Sequence, residues 1–319
     1  GPVSAVAKIP TIAAFPENVK PALEMILETE LKWYEQAAAE CPARVPAHFA
    51  SDYEAIDDYI LLLEDLSDYQ TFDQADDLSD ELASDVIRSL ASIHAYWWLS
   101  PDLKESNWLP APEVTVTMME PLVEHGWNAF VEDFASKINP DFIPIGEYFV
   151  NNLSECLTSC SESSGTMAHG DFRSENLLHN VIEGKGDLVI LDWQIAHYGS
   201  GMQDLAYFIG QSLSVDQRRR IEPDLLQMYY DELIRNGVTN FSFDQFMHDY
   251  RFGLLSALGI PINGAQMSKE LVAPDENASA EELAQFDQVQ QSMFSLMNLI
   301  CERSIFAVMD NQCETVIKI

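Results

Sequence analysis

Between Glu17 and Glu40 apolar residues return every three or four positions. Leu23, Ile26, Leu27, Leu31 and Tyr34 fall on one stripe, which predicts an amphipathic helix. Ahead of it, Val3 to Ile9 is a short β-prone run ended by Pro10. Behind it, "RVPAHFAS" and "DYILLLEDL" read as two strands, the second apolar enough to be central in a sheet. The polar, acidic segment "SDYQTFDQADDL" has no such period and reads as a linker. Beyond it Ser79 is placed to cap a helix carrying Leu82, Val86, Leu90 and Trp97. Helical patterns continue around 141–160, 215–236, 243–258 and 280–310. One region breaks them: "LLHNVIEGKGDLVILDW" has two β-rich runs about the turn signal Glu183-Gly184-Lys185-Gly186-Asp187, which predicts a hairpin. The expected class is α+β, with a small β-containing piece in front and a large helical piece behind.

Composition narrows this. A chain of 319 residues can bury a core as one large domain or two lobes, and 47% hydrophobic content is too rich for disorder. No apolar run reaches the roughly 18 residues of a membrane span, and no signal-like segment opens the chain, so the expectation is a soluble protein without a membrane partner. Acidic residues number 52 against 17 basic, a net charge of −35. Such a surface repels phosphate backbones and argues against a nucleic-acid partner. It attracts cations, although a solvated surface suited to a salty environment is the plainer account. The five cysteines are scattered and odd in number, which fits a reducing cytoplasm better than a disulfide framework. Cys156 and Cys160 are spaced to share a helix face; with no histidine near them in sequence they read as core thiols, not zinc ligands.

The chemistry concentrates in "MAHGDFRSENLL", residues 167–178, where His169, Asp171 and Asn176 share one loop. The second hairpin strand ends at Asp192, sixteen residues past Asn176, and a hairpin returns the chain to its start. Asn176 and Asp192 side by side would form a hard-oxygen pair suited to Mg²⁺. Asp171 would sit close by without being a ligand, placed to orient or accept a hydroxyl proton.

The H-G-D-x₄-N pattern followed by "VILDWQ" resembles the catalytic and metal loops of the aminoglycoside phosphotransferase and choline kinase superfamily. The further run "IAHYGSGMQDLAYFI" looks most like its ecdysteroid-kinase-like branch. The resemblance implies a two-lobed, protein-kinase-like fold, with an N-lobe over 1–66 and a helical C-lobe over 67–319. It implies an enzyme moving the γ-phosphoryl group of ATP, with Mg²⁺, to a hydroxyl of a small molecule. Lys8 in "SAVAKIP" resembles the strand lysine that contacts the α/β-phosphates, and Glu30 in "ETELKWYEQ" its helix partner. In "ILLLEDL", backbone groups of Glu64 and Leu66 resemble the adenine-binding hinge. Superfamily members carry two strands and a phosphate-covering loop before the lysine strand; this chain begins at that strand, so those residues are expected upstream in a longer chain.

His169 reads as a brace for the loop, and Asp204 as either its anchor or a helix cap. His94, Trp97 and Trp98 read as core. Only eleven residues separate Asp192 from Asp204, which leaves no room for a protein-kinase activation segment. Alternatives are a kinase for a cationic aminoglycoside- or choline-type acceptor and a nucleotide-binding pseudokinase. The sequence sets neither the acceptor nor the oligomeric state.

Overall fold

The computed structural model describes residues 3–10, 20–55, 58–180, 188–270 and 279–318. In the N-lobe, β1 (Ala5–Lys8), β2 (His48–Ala55) and β3 (Asp58–Glu64) form an antiparallel sheet of order β1-β3-β2. The apolar run around Leu61 takes the centre, as its composition predicts. β1 is the edge strand, and its register sets Ala5 against Glu64 and Lys8 against Leu61. Helix Lys20–Gln36 carries the predicted stripe, with Leu27, Leu31 and Tyr34 buried. Its expected beginning at Glu17 lies outside the described residues, and a short 3₁₀ turn, Ala38–Glu40, replaces its expected last turn.

The acidic segment after the hinge is less free than its composition suggests. Gln70–Thr71 forms β4 and pairs with β6 (Leu177–His179) of the hairpin. Gln74 is buried, and its carbonyl accepts a 2.6 Å bond from the buried Arg303 guanidinium, which also donates to the Gln211 carbonyl at 3.0 Å. A residue of the expected linker is here the acceptor that a buried cation requires.

The C-lobe is helical. Ser79 caps helix Asp80–Tyr96 by accepting from the Leu82 amide at 3.1 Å. Helix Pro112–Phe130 lies so close to helix Gly259–Met267 that a Cβ at Gly126 would stand 2.2 Å from the Ile262 carbonyl oxygen. The expected helix at 141–160 is broken at Asn152 into Ile143–Asn151 and Leu153–Thr158. Cys156 and Cys160 therefore do not share a helix, although both are buried and free. Helix Ala280–Asp310 opens with a capping box between Ser279 and Glu282. By length and composition Glu281–Asp310 could cross a membrane, but Ile300, Cys301, Ile305, Ala307 and Val308 are buried in the core.

Two short ladders carry the central loops. β5 (Gly165–Ala168) pairs with β8 (His197–Ser200), Ala168 opposite His197. β6 pairs with β7 (Leu188–Ile190), Leu177 opposite Ile190, as the hairpin reading expects. The turn at 183–187 lies outside the described residues. The lobes join through Trp33 of the N-lobe helix, which stacks on Trp193 with ring centroids 4.0 Å apart and planes 9° from parallel. Both indoles are fully buried. Trp33→Ala should cost about 3–5 kcal/mol of unfolding free energy in a urea titration, since the rigid surroundings cannot close on the void. A loss under about 1 kcal/mol would show that the stack does not hold the lobes.

Candidate active site

The loop after β5 is built on a buried carboxylate. Asp204 accepts the backbone amides of His169 at 2.6 Å and Gly170 at 2.9 Å. Its Oδ2 also meets His94 Nε2 at 3.2 Å, and His94 Nδ1 lies 2.6 Å from the Tyr229 hydroxyl. Burial would raise the Asp204 carboxyl, but the bond and charge of His94, helped by His169, outweigh it and hold the group below its ordinary 3.8. The adjoining helix Gly201–Tyr207 is capped by Ser200, so of the two roles open to Asp204 the loop anchor is the one observed. Gly170 has φ +85°, and a Cβ there would lie 2.6 Å from the Ile195 carbonyl oxygen. Only glycine suits both demands.

His169 braces the loop as its position suggested. Its Nε2 lies 2.7 Å from the Leu191 carbonyl, and its Nδ1 3.2 Å from the Asp171 amide. A carbonyl can only accept and an amide can only donate, so the partners assign the Nε2–H tautomer.

Asp171 is held on both oxygens. Oδ1 accepts the Tyr207 hydroxyl at 3.0 Å and lies 3.3 Å from Arg173 Nε. Oδ2 accepts Asn176 Nδ2 at 2.9 Å, and the same nitrogen donates to the Asp171 carbonyl at 2.8 Å. Burial, then the charge of Asp171, push the Tyr207 phenol well above its ordinary value, so it stays a donor. Sequence reasoning missed Tyr207 and Arg173. Their signal was proximity: Tyr207 lies one helical turn past Asp204, and Arg173 two residues past Asp171.

The hairpin closes as its register requires. The Leu191 amide donates to the Asn176 carbonyl at 2.9 Å, and Asp192 follows at once. Asp192 has φ +65°, a left-handed conformation that Asp tolerates better than most residues. Lys8 Nζ reaches Glu30 Oε2 at 2.6 Å and Asp192 Oδ1 at 3.3 Å. Burial opposes the ammonium charge, and Glu30 and Asp192 overcome it, so Lys8 is held above its ordinary 10.5. Glu30 is buried, not part of a solvated face, and burial pushes its carboxyl up while Lys8 works the other way.

The donor set can be tested against Mg²⁺. The Asn176 nitrogen is committed to Asp171, so its amide oxygen is left for a cation. With the Asp192 carboxylate it makes two hard oxygens, the kind of partial set Mg²⁺ uses alongside phosphates and water.

At the hinge, the Glu64 amide donates to the Ala47 carbonyl at 2.9 Å, and the Leu66 carbonyl accepts from Tyr69 at 2.9 Å. The Glu64 carboxylate is held by Arg44 at 2.6 and 2.7 Å. The Leu66 side chain packs on Leu178 and Val189 of the hairpin.

Away from this loop, Cys160, His248 and Asp249 bring a thiol, an imidazole and a carboxylate within 4.8 Å of one another. No histidine lies near Cys160 in sequence, and helix Phe243–Ser256 supplies one across the fold. Ser163 and Gln245 each donate to the Asp249 carboxylate at 2.6 Å, so that charge is already satisfied within the protein.

A β-sheet lobe bearing a lysine–glutamate pair, packed on a helical lobe with two polar loops, is the architecture of the protein-kinase-like phosphotransferases. A model of the ecdysteroid kinase-like family matches residues 13–238, and the chain belongs to that family. Among solved structures, a putative aminoglycoside phosphotransferase from Ralstonia eutropha JMP134 is similar at TM-score 0.51 and 15% identity, over 90% of this chain and 84% of that one. Choline kinase from Cryptosporidium parvum Iowa II gives 0.51 at 9% identity, over 95% and 86%. A Plasmodium vivax ethanolamine kinase gives 0.50 at 11%, over 85% and 72%. At these identities the likeness is one of fold. No curated protein matches the chain.

Because the Asp204 carboxyl is depressed, its contribution to stability is complete above 3.8 and is lost as pH falls through the lower folded value. Unfolding free energies of wild type and Asp204→Asn should therefore differ by a constant amount from pH 7 to 5 and converge below 3.8. A gap that widens on acidification would contradict the assignment.

Proposed function

We propose that this chain is an ATP- and Mg²⁺-dependent phosphotransferase that moves the γ-phosphoryl group to a hydroxyl of a small molecule. The observation that carries the reading is the meeting of Lys8, Glu30 and Asp192 within 3.3 Å, from a strand, a helix and a hairpin far apart in sequence. Lys8, fixed by Glu30, is the cation for the α/β-phosphates, and the hinge at Glu64 and Leu66 receives the adenine. Asn176 and Asp192 would hold Mg²⁺, which when bound neutralises phosphate charge. Asp171 orients the acceptor hydroxyl. As the acceptor oxygen bonds to the γ-phosphorus, the bond to the β-phosphate oxygen breaks, ADP leaves, and the hydroxyl proton passes to Asp171. Such chemistry asks for placement and charge neutralisation more than covalent help. A cytoplasmic setting agrees with five unpaired cysteines.

A scaffold that only binds nucleotide has no use for Asp171, so the two readings separate on that residue. Asp171→Asn should keep the MgATP-induced rise in thermal stability and lower transfer by about 10²–10⁴-fold, the usual worth of a positioned base. Asp192→Ala should lose the magnesium-dependent rise, which for wild type is about 2.7 kcal/mol at a hundredfold excess over Kd. Wild-type turnover in Asp171→Asn would reject its role. An undiminished MgATP shift in Asp192→Ala would reject the metal assignment.

A further inference from the structure

We infer that the acceptor is an uncharged alcohol with a compact, mostly apolar body, seated in a cavity beside Asp171; the inference rests on the phosphotransferase reading above. The cavity has a volume of about 160 Å³. It adjoins the catalytic loop, since Gly170 and Tyr207 line it and Tyr207 is bonded to the Asp171 carboxylate. Its walls come from both lobes. Met25 stands on the N-lobe helix that carries Glu30, Met118 and Met119 on helix Pro112–Phe130, Ile195 on the loop after Asp192, and Ile260 on helix Gly259–Met267.

The charge of the lining decides the class of ligand. Among the described lining residues Asp204 is the one carboxylate, and its oxygens are already bound by His94 and by the amides of His169 and Gly170. Asp171, next in the chain to the lining residue Gly170, has Arg173 beside one oxygen. A quaternary or primary ammonium placed there would lose its water and gain no free counter-charge, and an unpaired buried cation is strongly disfavoured. An apolar body loses nothing and gains about 25 cal/mol for each Å² removed from water.

Size sets a second limit. An engineered apolar cavity of about 150 Å³ takes up benzene, so this one suits a group of single-ring bulk. Three methionines in the wall can shift to fit variations in its shape. Because Met25 sits on the helix that carries Glu30, an occupant also packs against the element that holds Lys8 in place.

The test uses the full chain with MgATP, and measures acceptor-dependent ADP release with cyclohexylmethanol, choline and a sterol. Cyclohexylmethanol should be phosphorylated with kcat/KM at least tenfold above the other two. Met119→Trp, which fills the cavity, should lower that value at least tenfold through KM while leaving the MgATP-induced rise in melting temperature unchanged. Met119→Ala, which enlarges it, should move the preference towards bulkier neutral alcohols and covers the case in which the tryptophan variant does not fold. Preference for choline or the sterol, failure to phosphorylate cyclohexylmethanol, or indifference to both substitutions would overturn the inference with the kinase reading intact. Absence of any MgATP-induced rise in wild type would instead remove the kinase reading itself, and this inference with it.

Discussion

The site depends on a carboxylate sealed from solvent. Asp204 holds two consecutive amides of the loop after β5, His94 of helix Asp80–Tyr96 meets Asp204, and Tyr229 of helix Val215–Arg235 in turn meets His94. The loop and two helices are thereby joined to the helix of Asp204 in one network. A loop tied this way cannot drift relative to the C-lobe core without leaving a buried charge unpaired, which is costly. The position of Asp171, one residue beyond the second anchored amide, follows from that constraint. Gly170 completes it, because the chain must turn with positive φ against the Ile195 carbonyl before Asp171 can face the cleft.

The second constraint runs between the lobes. Asp192 receives Lys8 from the sheet, while Trp193, its neighbour, stacks on Trp33 from the helix that carries Glu30. Trp33 and Glu30 are three residues apart, so one face of that helix both packs and pairs. The geometry of the lysine–glutamate pair is therefore set by apolar burial more than by the ion pair, which alone would tolerate several arrangements. The same packing orders the hairpin end. Its left-handed residue, Asp192, costs about 1–3 kcal/mol, and the tryptophan stack with its hydrogen-bonded neighbours fixes it.

Much of this was legible in the chain. The hairpin register could be expected because β-rich runs flank a turn signal, and it brings Leu191 to Asn176 as that reading requires. The lysine strand, the central strand around Leu61 and the cap at Ser79 were likewise local signals. Contacts made across the fold were not. Tyr207 lies within an apolar run and reads as core until the helix Gly201–Tyr207 points its hydroxyl at Asp171. Gln74 falls in the segment read as a linker because nothing local reveals the Arg303 guanidinium, 229 residues away, that needs its carbonyl. His248 approaches Cys160 only through tertiary packing. The two β5–β8 strands escaped notice because four residues each, with glycines, carry too little pattern to separate from loop.

The net charge of −35 can now be placed. Among the described residues only Glu30, Asp204, Glu222 and Asp249 are buried acids, and each has close partners. Glu222, for example, accepts from Arg218 at 2.6 Å and from Tyr250 at 2.7 Å. The excess negative charge is thus carried by exposed and half-exposed groups, whose field decays over about 8 Å at physiological ionic strength. A surface of this kind sets solubility and the long-range approach of ions. It does not select what fits a cavity walled by methionine and isoleucine. The sign of the surface and the polarity of the cavity answer to different pressures.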